Sequence, residues 1–158
     1  MMLFKKRKLG RSIDEITIGE KLTLTERIED KDLLLYLGLT NDANPLYIQH
    51  DYASQTPLKR PIVPAIMITG MMTAAISKYL PGPGCHILKQ TIEFPKRVYH
   101  YGTVEFLFKV IDVNHEEHVI TIDVQAKDEE EHQVVKAQFV VCPPYKVPSI
   151  EEHEFENF

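Results

Sequence analysis

The sequence predicts an α+β domain: a curved antiparallel sheet of about five strands wrapped around one long central helix. Two observations predict it. Four segments late in the chain, residues 86–94, 103–113, 118–127 and 132–142, carry strand patterning. In the second of them Val104, Phe106, Phe108 and Val110 alternate with Glu105, Leu107 and Lys109, the period of a strand with one buried face. The other observation is residues 64–80, where Ile66, Met67, Ile68, Met71, Met72, Ala75, Ile76 and Tyr79 cover nearly every face of a helix. A helix apolar all round is expected to be buried all round. In a chain of 158 residues, a sheet curved around it is the way to do that.

The elements follow in order. Residues 16–27 read as the first extended segment, with Leu22 and Leu24 alternating with Thr23 and Thr25. Glu29, Asp30 and Asp32 open a short helix that ends near Gly38 and offers Leu33, Leu34, Tyr36 and Leu37 for burial. The polar stretch Thr40, Asn41, Asp42, Ala43, Asn44, Pro45 reads as a turn-rich loop, with a short helix over residues 49–54 after it. Pro64 suits the first turn of the central helix. Residues 114–117 and 128–131 are polar enough for hairpin turns. The boundaries are a basic N-terminal tail over residues 1–14, one domain over 15–147 and an acidic C-terminal tail over 148–158.

Composition narrows the function classes. With 44% hydrophobic and 26% charged residues, the chain reads as an ordinary globular domain. A net charge of −5 argues against nucleic acid or an anionic membrane as the partner of the whole surface. The basic start is followed by no apolar stretch, so it does not read as a secretory signal, and residues 62–76 are short for a membrane span. Cys85 and Cys142 have no metal-ligand spacing, so no metal is expected and packed thiols in a cytoplasmic protein are the reading. No dinucleotide fingerprint, phosphate-binding loop or nucleophile elbow is present.

The chemistry concentrates in Asp42-Ala43-Asn44-Pro45-Leu46-Tyr47, continued by Tyr52-Ala53. This stretch resembles the Asp-x-Asn-Pro-x-His motif, followed by Tyr-Ala, of MaoC-like (R)-specific enoyl-CoA hydratases. The likeness continues through Pro61-Ile62-Val63 into the central helix, then through Leu80-Pro81-Gly82-Pro83-Gly84 and Tyr101-Gly102-Thr103-Val104. It covers most of residues 36–113, and it implies the hot-dog fold that the patterning suggests.

In that family an aspartate and a histidine activate water for syn addition across the double bond of a trans-2-enoyl thioester. Such a reaction needs a base for the water's proton, an acid for the α-carbon and donors for the enolate oxygen. The resemblance puts Asp42 in the aspartate's place; Asn44 and Pro45 shape the loop. A carboxylate before a turn can also merely cap local backbone. Tyr47 stands where the family has histidine. A tyrosine hydroxyl, ionising near a pH of about 10, orients water but is a poorer base than imidazole. It is also a residue that simply packs.

Ile62-Val63-Pro64-Ala65 stands where the family has Ile-Val-His-Gly, so Ala65 takes the oxyanion amide's place beside Pro64, which has no N–H to offer. Thr73 falls at the serine that supports the aspartate, or it bonds its own helix backbone. Asn44, Pro64 and Thr73 thus join the expected substrate-binding set. His50 reads as a surface residue. Lys59, Arg60, Lys96 and Arg97 cluster in sequence and suit a phosphorylated handle, or a plain solvated face.

The resemblance implies hydration or dehydration of acyl thioesters, with CoA or an acyl-carrier protein as the handle and no further cofactor. A homodimer, or a heterodimer with a paralogue, is expected from sheets joining at their edges. The competing reading is a catalytically weak or silent hot-dog subunit that binds acyl thioesters beside an active paralogue. A thioesterase on the same fold places its carboxylate differently.

Overall fold

A computed structural model describes residues 9–147. After a 3-10 turn at Ile13–Glu15, the chain forms β1 (Lys21–Arg27), α1 (Asp30–Thr40), α2 (Pro45–Ile48), α3 (His50–Ser54) and α4 (Ala65–Tyr79). Strands β2 (His86–Glu93), β3 (Thr103–Asn114), β4 (Val119–Asp128) and β5 (Gln133–Cys142) follow. All neighbours pair antiparallel, in the order β1-β3-β4-β5-β2. Only β3, β4 and β5 join through hairpins; β2 reaches the far edge beside β5.

The alternation read from the sequence sets the core. Val104, Phe106, Phe108 and Val110 of β3, with Ile120, Ile122, Val124 and Ala126 of β4, turn inward and meet Ile68, Met72, Ala75 and Ile76 of α4. Val134 and Val135 of β5 are both buried, because the register shifts between Ala126 and Lys127 of β4 and places a bulge there. Aligned with this face, α4 is the long helix that the sheet wraps.

Several expectations are corrected. The helix α4 is not buried all round. Ile66 is 56% exposed and Tyr79 55%, and Ala65 and Gly70 are exposed too, because the five-stranded sheet covers one side of α4 only. Pro64 is the residue before the helix, at φ −55° and ψ 131°, rather than a member of its first turn. In α1 only Leu33 is buried; Leu34, Leu35 and Leu39 are 68%, 72% and 88% exposed. This helix runs to Thr40 and closes on Asn41 in the left-handed conformation, which asparagine tolerates. Residues 16–20 lie outside β1, and α2 is an extra turn that the sequence reading gave to a loop.

Residues 9–14, assigned above to the basic tail, pack against the turn after α4. The Gly10 N–H donates to the Pro83 carbonyl at 2.7 Å, Arg11 N–H to Pro81 at 2.9 Å, and Ile13 is buried in the core. A β-carbon on Gly10 would lie 2.5 Å from the Pro81 oxygen, so the close approach requires glycine. The rest of that tail, residues 1–8, and the C-terminal tail, residues 148–158, lie outside the described residues.

Candidate active site

The loop after α1 is built from side-chain caps. Asp42 Oδ1 accepts the Asn44 N–H at 3.3 Å, and Asn44 Oδ1 accepts the Leu46 N–H at 3.0 Å, capping α2, which Pro45 opens. The Tyr47 N–H donates to the Asn44 carbonyl at 2.9 Å. These bonds account for asparagine and proline beside the aspartate: they fold the loop and leave the carboxylate half-buried.

The second oxygen of Asp42 has a partner that sequence reasoning missed. The Tyr36 hydroxyl donates to Asp42 Oδ2 at 2.6 Å. This bond, lost if the phenol ionises next to a carboxylate, raises the Tyr36 pKa above the ordinary 10.0. Tyr36 also meets Tyr47 edge to face, with ring centroids 6.3 Å apart. Asp42, Tyr36 and Tyr47 therefore form one cluster. Its sequence signal was weak: a tyrosine within a leucine run, six residues before the carboxylate, reads as a core residue.

The segment before α4 is tied to this cluster by backbone. The Ile62 N–H donates to the Leu46 carbonyl at 2.9 Å, and Val63 N–H to Val98 at 2.8 Å. Ala65 is exposed at the start of α4, where the first N–H groups have no intrahelical acceptor and the helix dipole is positive. Pro64 is buried and supplies no donor. Thr73 is not brought to Asp42: its hydroxyl donates to the Thr69 carbonyl at 3.0 Å, two turns and about 12 Å along the axis from Ala65. Of its two readings, the backbone-bonded one is what the structure holds.

An open groove of about 860 Å³ runs between α1, β1 and the uncovered face of α4. Tyr36 and Thr40 line it, whereas Asp42, Tyr47 and Ala65 do not; Leu35, Leu39, Ile66, Met67 and Met71 give it apolar walls, and Glu26, Asp32 and Lys78 add charge. Thr40 Oγ1 accepts the Asp42 N–H at 3.2 Å, so two groove residues hold the aspartate directly.

Near the backbone of Ile62 and Tyr47 lies His100, which sequence reasoning also missed. Its Nε2 is buried without a hydrogen-bond partner among the described residues. Burial lowers its pKa from 6.5, although the backbone of Ile62 and Tyr47 and the charge of Asp30 oppose the change. His50 is exposed, as expected. No group of three metal-binding side chains occurs among the described residues.

Comparison with known proteins agrees with this fold. The MaoC like domain family model matches residues 13–134. An (R)-specific enoyl-CoA hydratase of Rhodospirillum rubrum is 32% identical over 81 residues, 51% of this chain and 56% of that protein. A second (R)-specific enoyl-CoA hydratase, from Aeromonas caviae, is 27% identical over 88 residues, 56% of this chain and 66% of that one. The match thus spans little more than half of the first relative and 66% of the second. Among solved structures, an R-hydratase from Pseudomonas aeruginosa in the unliganded form superposes with a TM-score of 0.81 at 23% identity, covering 94% of this chain and 91% of that one.

Proposed function

The chain belongs to the MaoC-like domain family, and from that premise we propose that it hydrates trans-2-enoyl thioesters to (R)-3-hydroxyacyl thioesters and catalyses the reverse dehydration. The observation that carries the reading is the Tyr36 hydroxyl on Asp42 Oδ2 at 2.6 Å, because Tyr36 itself lines the open groove between α1 and α4. A carboxylate has about four lone-pair positions, and the bonds from Tyr36 and Asn44 take two of them. Those that remain can accept a water's proton, while the fixed loop holds that water over an acyl chain lying in the groove.

In the proposed step, the water oxygen bonds to the β-carbon and its proton passes to Asp42. The electron pair of the double bond shifts toward the thioester carbonyl. Its oxygen gains enolate charge, held by the Ala65 N–H at the positive end of α4. Syn addition lets the same carboxylate return a proton to the α-carbon. Tyr47 orients the water through its hydroxyl. The site belongs to a protein expected in the cytoplasm; no helix among the described residues is long and apolar enough to cross a membrane. We further read the exposed leucines of α1 and the open face of α4 as the contact of a dimer, with itself or with a paralogue.

The test is hydration of crotonyl-CoA, followed by loss of the enoyl absorbance, for the natural protein beside Asp42→Asn. Removal of the base is expected to lower kcat by about 10²–10⁴. Equal rates in the two proteins refute the proposal. Tyr47 in place of histidine favours a second reading, a weak or silent acyl-thioester-binding subunit. Retained crotonyl-CoA binding without turnover, together with activity gained in Tyr47→His, selects that reading.

A further inference from the structure

The turn that leads into β3 carries more constraint than a connection needs. The Gly102 N–H donates to the Tyr99 carbonyl at 3.1 Å and closes residues 99–102 into a turn. Within it Tyr101 holds φ at +61°, a conformation that a bulky side chain rarely adopts. Two bonds keep it there: its N–H donates to the Ile28 carbonyl at 3.0 Å, and its hydroxyl to Asp30 Oδ2 at 2.6 Å. On the other side, Tyr99 is bridged to Ile62. The residue fixed between these anchors is His100.

Its ring sits where three segments meet. Asp30 belongs to the start of α1, Tyr47 to α2 and Ile62 to the segment before α4, and all three bear on the imidazole. The N–H groups of Ile62 and Tyr47 are spent on the Leu46 and Asn44 carbonyls, at 2.9 Å each, so it is their carbonyls that face the ring. A neutral imidazole has one N–H and can serve one of two carbonyls, whereas an imidazolium has two. Nε2 is buried and has no partner among the described residues, which opposes folding. An apolar ring would fill the same space without that penalty. A polar ring held there against stability by a strained turn is suited to a task, and the groups it faces belong to the proposed site.

We infer that His100 is a positioning residue for the proposed hydration: its imidazole sets the backbone of Tyr47 against the segment that leads into α4, and so fixes the Tyr47 hydroxyl relative to Asp42 and the Ala65 N–H. The setting depends on the ring's charge, because a second N–H changes what the ring does to the two carbonyls. Burial opposes that proton most, and His50 at the start of α3 opposes it too; Asp30 and the two carbonyls favour it. Glu129 reaches the same turn by accepting the Thr103 N–H at 3.1 Å. With burial dominant, the ring is uncharged at neutral pH and gains its proton only below 6.5.

The inference rests on the hydratase reading, and the experiment separates the two. Crotonyl-CoA kinetics and urea unfolding are measured together in His100→Phe and His100→Gln. The phenylalanine variant is expected to keep or gain stability while kcat falls about tenfold or more and KM changes little, as only the orienting group is displaced. Glutamine, whose amide supplies a donor and an acceptor near the Nε2 position, is expected to recover most of kcat. An unchanged kcat in His100→Phe, a loss that merely follows lost stability, or a loss that glutamine does not recover overturns the proposal. If the natural protein turns over no crotonyl-CoA, the hydratase reading fails and the positioning role is read on Tyr47 itself. Its ring-carbon NMR signals, followed between about pH 8 and 5, are expected to shift in a step as His100 takes its proton. That step disappears in His100→Gln and survives in His50→Gln. Absence of the step, its persistence without His100, or its loss in His50→Gln overturns the proposal whether or not hydration occurs.

Discussion

Asp42 is held by three neighbours: Tyr36 and the Asn44 N–H bond its carboxylate, and Thr40 accepts its N–H. The bond from Tyr36 can be read directly, because a phenol that donates to a carboxylate resists ionisation. Tyr36 is therefore expected to titrate above its ordinary 10.0 in the natural protein and to return toward it in Asp42→Asn, where the acceptor's charge is gone. Ring-carbon NMR of tyrosine across alkaline pH checks this; identical Tyr36 titrations in the two proteins would mean that the bond is not formed in solution. At this scale the sequence was legible where a motif spelled it out. The loop that Asp42, Asn44 and Pro45 build was readable because loop-forming residues keep their order along the chain. Tyr36 was not, since an aromatic residue amid leucines reads as core. Thr73 was ambiguous because a helical threonine has its own backbone within reach, and that is where its hydroxyl went. His100 carries no sequence signal of burial at all; the pairing of Ile62 with Tyr99 brings the two segments together there.

The strands were legible almost to the residue, since period-two patterning reports which face a sheet buries. Residues 103–113 were expected and Thr103–Asn114 is found; residues 132–142 were expected and Gln133–Cys142 is found. Helical periodicity was less faithful. Apolar residues all round α4 predict burial all round, yet here some of them line an open groove instead. The four-residue α2 was missed because one turn shows no period. The register of β3 makes a sharp prediction. Phe106 is 1% exposed and packs against the core, while its neighbour Leu107 is 41% exposed on the outer face. Phe106→Ala is expected to cost about 3–5 kcal/mol of stability. Leu107→Ala is expected to cost less than about 1 kcal/mol, as a partly exposed site loses little contact. Urea unfolding with matched slopes measures both. Comparable losses would show that the strand does not present the face described.

For the whole molecule, the unresolved balance is between a core covered on one side and apolar surface left open on the other. Leu34, Leu35 and Leu39 of α1 and Ile66 and Tyr79 of α4 are all more than half exposed, and Leu35, Leu39, Ile66 and Tyr79 share the walls of one groove. A contiguous apolar surface of this kind is uncommon on a free monomer and usual where chains meet. A homodimer would also explain why residues expected in the core reach solvent, without disturbing the site's internal bonds. Sedimentation equilibrium is expected to return twice the 18.2 kDa chain mass. Leu34→Glu, which lies outside the groove walls, is expected to shift the protein toward monomer while its far-ultraviolet circular dichroism stays unchanged. A natural protein that sediments as a monomer at micromolar concentration would leave the groove open to solvent, and the acyl channel would then need a cover drawn from the substrate alone.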